Sequence, residues 1–338
     1  MPLPAPLPVT TLSPPAPIRR PTAVALGTFD GLHAGHRRVI QEALALVANG
    51  LAGESPPTPT VVSFWPHPRE VLYGETRLRL DLPEEKLPLL APLGIQQLVM
   101  LPFTTALASL TPERFVEEVL VGQLEARCVA VGENFRFGAH RSGDASDLGR
   151  LASTHGIPVA VVPTLNDGAG RVSSSRIRQA LAEGRIAAAE ALLGRPYRFA
   201  GTVVQGRGLG RQLGWPTANL QVSGRKFLPL EGVYAALAWM GDPEAAPPMA
   251  AVMNLGRQPT IDPAAPSAVE VHVLDRQVEL LGRGLVVQPL RWLRGQRRFA
   301  NLEELSEQIA RDANEARELS ASLTPASGPG QALRPLSP

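Results

Sequence analysis

Cysteine is all but absent: Cys128 is the only one in 338 residues, so no disulfide can form within the chain and a disulfide-stapled fold is excluded. A reducing, cytoplasmic setting is expected. Lysine is nearly as rare, since all but Lys86 and Lys226 of the 33 basic residues are arginine. Neither lysine follows the glycine spacing of a Walker A loop, so a nucleotide site of that kind is excluded. Neither sign of charge is in large excess. The formal net charge is +2, which does not demand nucleic acid, and none is expected as a partner. No apolar run approaches the roughly 20 residues of a membrane span. The first twenty residues are Pro-rich, end in Arg19-Arg20, and lack the basic start and unbroken apolar stretch of a signal peptide. No membrane partner is expected.

What is present fits an ordinary globular chain, 44% apolar and 19% charged. At roughly 150 residues per domain the length suggests two domains, each able to bury a core. Residues 1–20 and 321–338 are Pro/Ser/Ala-rich and read as disordered tails. Between 21 and 183, apolar runs at 22–27, 59–64, 95–101, 127–132 and 157–163 alternate with helical patterns. That alternation predicts a parallel α/β sheet. A helical stretch at about 179–193 leads through a linker at 184–197 into a different grammar. Runs at 199–205, 233–240, 249–255, 268–274 and 285–293, with Gly and Pro between them, predict a barrel or sandwich over 198–320. It closes with a helix from Leu302 to Leu319, capped by Asn301 and Glu304, whose stripe is Leu302, Leu305, Ile309, Ala313 and Ala316.

The densest motif is Gly27-Thr28-Phe29-Asp30-Gly31-Leu32-His33-Ala34-Gly35-His36, between a predicted strand and a predicted helix. Its two histidines fall on one face of the helix's first turn, where free N–H groups and the helix dipole favour an anion. Two imidazoles there suit a phosphate whose charge grows during attack at phosphorus. Gly27 and Gly31 allow close backbone approach. Further polar motifs follow the other runs: Trp65 to Glu70, Glu133 to Gly138, and Ser173 to Arg178. Ligands of open α/β sheets bind beyond the carboxyl ends of the strands, so these motifs converge on one edge. One helix cap needs one serine, yet Ser173, Ser174 and Ser175 come together, with Arg176 and Arg178 beside them. His67 is either a rigid loop wall or a ligand contact, and Asn134 serves a ribose, a phosphate or a turn. With no paired base and nucleophile, direct transfer to an existing phosphate, with Mg²⁺ assisting and pyrophosphate leaving, is the predicted chemistry.

The second half carries Gly201 to Leu220, whose Gly206, Gly208 and Gly210 precede Pro216 and a further extended segment; this is a loop able to fold over phosphates rather than a Rossmann turn. Thr217 and Asn219 alternate to one side and offer a hydroxyl and an amide oxygen to Mg²⁺ or phosphate. In Val269 to Asp275 the valines face one side, Glu270 and His272 the other. Glu270 is either part of a solvated face or a general base for phosphoryl transfer.

Taken in order, these motifs, with Leu230 to Tyr234 and Asn254 to Thr260, resemble the bacterial bifunctional riboflavin kinase/FMN adenylyltransferases. The resemblance implies a Rossmann-like nucleotidyltransferase domain of the His-x-Gly-His superfamily over 21–183, then an antiparallel β-barrel riboflavin-kinase domain with a C-terminal helix. His33 and His36 would stabilise the α-phosphate of ATP during attack by FMN. Gly27, Phe29, Asp30, Gly31, Asn134, Ser174, Ser175 and Arg178 would contact substrates in that half; Gly206, Gly208, Gly210, Thr217 and Asn219 would hold Mg²⁺–ATP in the other. Glu270 would act as base on riboflavin, giving FMN and then FAD as products. The chain departs from the pattern at Ser175, where threonine is usual, at Leu281-Gly282, where Tyr-Gly is expected, and at Gln296, where glutamate is frequent.

Overall fold

The computed structural model describes residues 9–11, 18–50, 56–206, 214–256, 269–276 and 278–323. Two compact units emerge, one built on residues 1–179 with 190–195 and 225–227, the other on the remainder.

The first unit holds a parallel sheet of β1 (Val9–Thr11), β2 (Thr22–Leu26), β3 (Thr58–Trp65), β4 (Gln97–Pro102), β5 (Ala126–Gly132) and β6 (Val159–Val162). The spatial order is β1-β4-β3-β2-β5-β6. All five predicted runs are therefore strands. Val9–Thr11, expected to be disordered, pairs in parallel with Leu98–Met100 at the edge. Both faces of the sheet are covered, which is why the strands read as continuous apolar runs. Val24, Leu26, Val129 and Val131 pack on one side against the helical residues 112–123 and 145–153. Ala25, Val61 and Ala130 pack on the other against Val39, Ile40 and Ala43 of α1 (Ala34–Ala48). From β2 the chain builds outward through β3 and β4, then returns to place β5 on the other flank of β2. The strand order thus reverses at the β2/β5 pair, which opens a crevice at their carboxyl ends.

The second unit is a closed antiparallel barrel of β7 (Phe199–Val204), β8 (Ala218–Val222), β9 (Gly232–Met240), β10 (Met249–Leu255), β11 (Val269–Val273) and β12 (Gly284–Arg294), in the order β7-β8-β11-β10-β9-β12. Gly201 makes the curvature possible, because a Cβ there would lie 2.5 Å from the Gln221 carbonyl on the paired strand. The helix Leu302–Leu323 packs Ala313 and Ala316 against Val233, Ala235 and Val252 of the outer barrel face. Half of the expected cap forms at its start, with Asn301 Oδ1 accepting the Glu304 N–H at 2.8 Å, while the Glu304 carboxylate accepts from the Ala300 N–H at 3.2 Å in place of that of Asn301. Leu302, placed in the buried stripe by spacing, is exposed. The single helix expected at 179–193 is two, α2 (Ser174–Ala182) and α3 (Ile186–Leu193), broken where Gly184 turns left-handed at φ +72°.

Candidate functional site

Beyond the carboxyl end of β2 the backbone takes a left-handed course at two buried non-glycine residues, Phe29 (φ +44°) and Leu32 (φ +41°). Such conformations cost about 1–3 kcal/mol each and persist only where the surroundings fix them. Here the loop's carbonyls are held one by one. Lys86 Nζ donates to Thr28 O at 3.1 Å, Ser174 Oγ to Asp30 O at 2.7 Å, and Arg195 to Gly31 O at 3.1 Å. The loop delivers His33 to the cap of α1, where its Nδ1 accepts the His36 N–H at 3.4 Å. An accepting Nδ1 leaves the proton on Nε2. The two rings stack with centroids 3.6 Å apart, and the Phe29 ring meets His36 edge-on at 5.4 Å.

Burial, with Arg171 and Arg37 nearby, pulls the His33 imidazole down to about 4. Burial, and then His33 itself, holds His36 well below its ordinary value. At neutral pH the pair is therefore uncharged. A neutral pair at a helix N-terminus can offer an anion N–H donation alongside the helix dipole, rather than two imidazolium cations. Gly35 is needed for this packing, since a Cβ there would press on the His33 ring at 3.2 Å.

Both histidines open into a cavity of about 1140 Å³ at the sheet's carboxyl edge. Gly27, Phe29, Asn134, Ser174 and Ser175 also line it, with Arg171 among the cations. Asn134 is held by donation to Thr164 Oγ1 at 2.7 Å. The three serines divide their work. Ser173 Oγ accepts the Arg176 N–H in the manner of a cap, Ser174 ties down the Asp30 carbonyl, and Ser175 faces the cavity. His67 both lines the cavity and caps a short helix, Pro68–Tyr73, by accepting the Arg69 N–H at 3.1 Å.

Asp30, Gly31 and Arg178 are absent from the lining. The Arg178 guanidinium instead bonds the Asp30 carboxylate, which also accepts the Leu80 N–H at 2.9 Å. Burial alone would raise the Asp30 carboxyl, but Arg178, Lys86 and Arg79 outweigh it and hold the group below its usual value. Gly31 (φ +95°) packs against Leu80, whose Cδ1 would lie 2.9 Å from a Cβ. These residues shape the loop from behind. The aromatic part of the cavity was not anticipated: Phe64 and Phe103 meet edge-on at 5.7 Å, and Phe135 stacks on Phe137 at 5.7 Å. Phe64, Phe103 and Phe135 lie at or just beyond the ends of β3, β4 and β5, a positional signal readable in the runs themselves.

In the barrel unit, Asn219 on β8, Glu270 on β11 and Asn254 on β10 are directly opposed in register and form one row. Their sequence neighbours Ala218, Leu220, Val269, Val271, Met253 and Leu255 are buried, so the row faces away from the barrel interior. Gly206 lies so close to Asn219 that a Cβ would fall 1.7 Å from its amide nitrogen. Thr217 enters β8 two residues before Asn219. His272, next along the face from Glu270, approaches Pro216 O with Nδ1 at 2.7 Å, and Trp215 stands edge-on to its ring at 5.3 Å. Gly208 and Gly210 lie outside the described residues.

The first unit thus presents His33, His36 and Arg171 to one cavity and the barrel unit a row of Asn219, Glu270 and Asn254, with no activated serine or cysteine nucleophile among the described residues. Such an arrangement can serve group transfer from a nucleotide donor in two separate modules. Comparison with known families agrees: a model described as FAD synthetase matches residues 16–176 and one described as riboflavin kinase matches 193–320. Bifunctional riboflavin kinase/FMN adenylyltransferases from Escherichia coli K12 and Pseudomonas fluorescens are each 37% identical across 90% of this chain, covering 94% and 95% of their own lengths. The Bacillus subtilis protein of the same description is 32% identical over 87% of this chain and 91% of its own. A solved structure from Streptococcus pneumoniae, described as a macrolide-efflux protein, superposes with a TM-score of 0.76 at 28% identity, covering 88% of this chain and 94% of its own. The chain belongs to the bifunctional riboflavin kinase/FMN adenylyltransferase family. Efflux is said of that neighbour alone. Among the described residues here, no helix is long and apolar enough to cross a membrane.

Proposed function

We propose that the barrel unit phosphorylates riboflavin to FMN with ATP, and that the first unit transfers AMP from a second ATP to FMN, giving FAD and pyrophosphate. The observation that carries the second reaction is the stacked, neutral pair His33 and His36 at the mouth of α1, facing a cavity with one polar and one aromatic part. In this reading an oxygen of the FMN phosphate attacks the α-phosphorus of ATP, and the bond to the β-phosphate breaks. His33 and His36 donate N–H bonds to the non-bridging oxygens, which gain charge on the way. Asn134 and Ser175 orient the nucleotide. The flavin ring lies against Phe64, Phe103 and Phe135, since flat aromatic systems favour offset and edge contacts.

For riboflavin phosphorylation, Glu270 takes the proton of the terminal ribityl hydroxyl as its oxygen bonds to the γ-phosphorus, and ADP leaves. The donors nearby are a hydroxyl (Thr217) and the amide oxygen of Asn219, oxygen ligands that suit Mg²⁺. No group of three or more His, Cys, Asp or Glu placed to hold a metal occurs among the described residues, so ATP phosphates and water would complete the shell. When bound there, Mg²⁺ would neutralise phosphate charge. A cytoplasmic setting fits Cys128, a buried thiol pushed up to about 11 by burial.

Incubation of the protein with riboflavin, ATP and Mg²⁺, followed by chromatography, is expected to yield FMN and then FAD. Absence of both would overturn the assignment. FAD from supplied FMN without any FMN from riboflavin would overturn the barrel half alone.

A further inference from the structure

The row that carries Glu270 continues beyond it in a fixed direction. Gln296 Nε2 donates to Leu255 O at 3.1 Å, and a backbone carbonyl can only accept, so the Gln296 amide is oriented with its NH₂ toward β10. The same NH₂ lies 3.3 Å from the Asn254 side chain, which must therefore present its Oδ1. Asn254 is left with Nδ2 facing Glu270 Oε2 at 3.5 Å. Amide ends are assigned from such networks, and this one admits a single assignment. Asn254 and Glu270 are also directly opposed in the β10–β11 register, so their side chains leave the sheet together.

We propose that Asn254 is a positioning residue for riboflavin phosphorylation: oriented by Gln296, it holds one oxygen of the Glu270 carboxylate and leaves the other free to receive the substrate proton. The proposal rests on the reading of Glu270 as the base. A donor on Oε2 fixes the carboxylate plane, and the geometry tightens once substrate orders the site. The Gln296 amide bonds Asn254 and Leu255 O rather than Glu270. It acts through the choice of which end Asn254 shows.

The test is a double-mutant cycle in the full chain, with steady-state riboflavin phosphorylation as readout. Asn254→Leu is expected to lower kcat about tenfold, the scale of one hydrogen bond to a charged group, with the KM values for riboflavin and ATP unchanged. Gln296→Leu is expected to lower kcat less, and the double variant to be no worse than Asn254→Leu. Asn254→Asp, of nearly equal volume, guards against a packing effect; it cannot donate, so kcat is expected to fall as in Asn254→Leu. An unchanged kcat in Asn254→Leu, a loss confined to KM, or effects of Asn254 and Gln296 that multiply would overturn the relay. Glu270→Gln separates the two readings. If it retains full kcat, the base reading fails; if it loses activity while Asn254→Leu does not, only the relay fails.

Discussion

Asp30 and Arg178, 148 residues apart in sequence, are joined by a charge-assisted hydrogen bond with both side chains largely buried. The pair closes the turn after β2 onto the first turns of α2, and Ser174 reinforces it from the same helix by holding the Asp30 carbonyl. Removing one partner of a buried ion pair typically costs about 3–5 kcal/mol, because the other charge is left uncompensated. Asp30→Ala and Arg178→Ala are each expected to lower the thermal midpoint markedly, and the double variant to melt no lower than the worse single one. If either single variant instead melts like the wild type while its KM for ATP rises, the residue is a ligand contact, as its motif first implied.

That pair also marks where sequence reading reached its limit. The parallel sheet was legible because strands buried on both faces, such as Val24-Ala25-Leu26, form unbroken apolar runs. The convergence of motifs on one edge followed from the rule for open α/β sheets, and the cavity at the β2/β5 reversal lies there. Asp30 was read with its glycine-rich neighbours as a substrate contact, since nothing local reveals a partner as distant as Arg178. The break at Gly184 was hidden by the apolar run from Ile186 to Leu193, which prolongs a helical pattern. Phe64 and Phe103 were visible at strand ends but carried no role, and Phe135 lay inside a polar motif, because an apolar side chain at a cavity wall and one in a core look alike in one dimension.

The neutral state of His33 has a consequence for stability. Its folded value, about 4, lies below the 6.5 of an unperturbed imidazole, so the unfolded chain binds a proton more readily. The contribution is fully present above pH 6.5 and is lost as pH falls through the window from 6.5 to 4, amounting to up to about 3 kcal/mol. Chemical denaturation across that range is expected to show a shallower decline in His33→Asn than in wild type. Equal slopes would contradict the shift.

Direct observation of the rings is a separate test. In the free protein the imidazole resonances of His33 and His36, assigned by single substitutions, are expected to show no titration near pH 6.5. A midpoint there would mean that burial does not hold that ring down, leaving a cationic fraction at neutral pH able to meet transition-state charge as imidazolium. Catalysis gives the complementary measurement. Loss of an oriented donor at a developing oxyanion costs about 10²–10³ in kcat. His36→Ala is expected to show a loss of that size in FMN adenylylation while riboflavin phosphorylation continues.

The two half-reactions separate at Glu270. This carboxylate belongs to the barrel row with Asn219 and Asn254, while His33 and His36 belong to the sheet unit. Glu270→Gln keeps the size and a hydrogen-bonding end but cannot take a proton, and general-base contributions run to about 10²–10⁴. With riboflavin and ATP as substrates, the variant is expected to lose FMN formation by a factor in that range, and FAD with it. With FMN supplied, FAD formation is expected to proceed at the wild-type rate. If FAD formation from supplied FMN also collapses, Glu270 is needed by both reactions, and the assignment of one reaction to each unit is wrong.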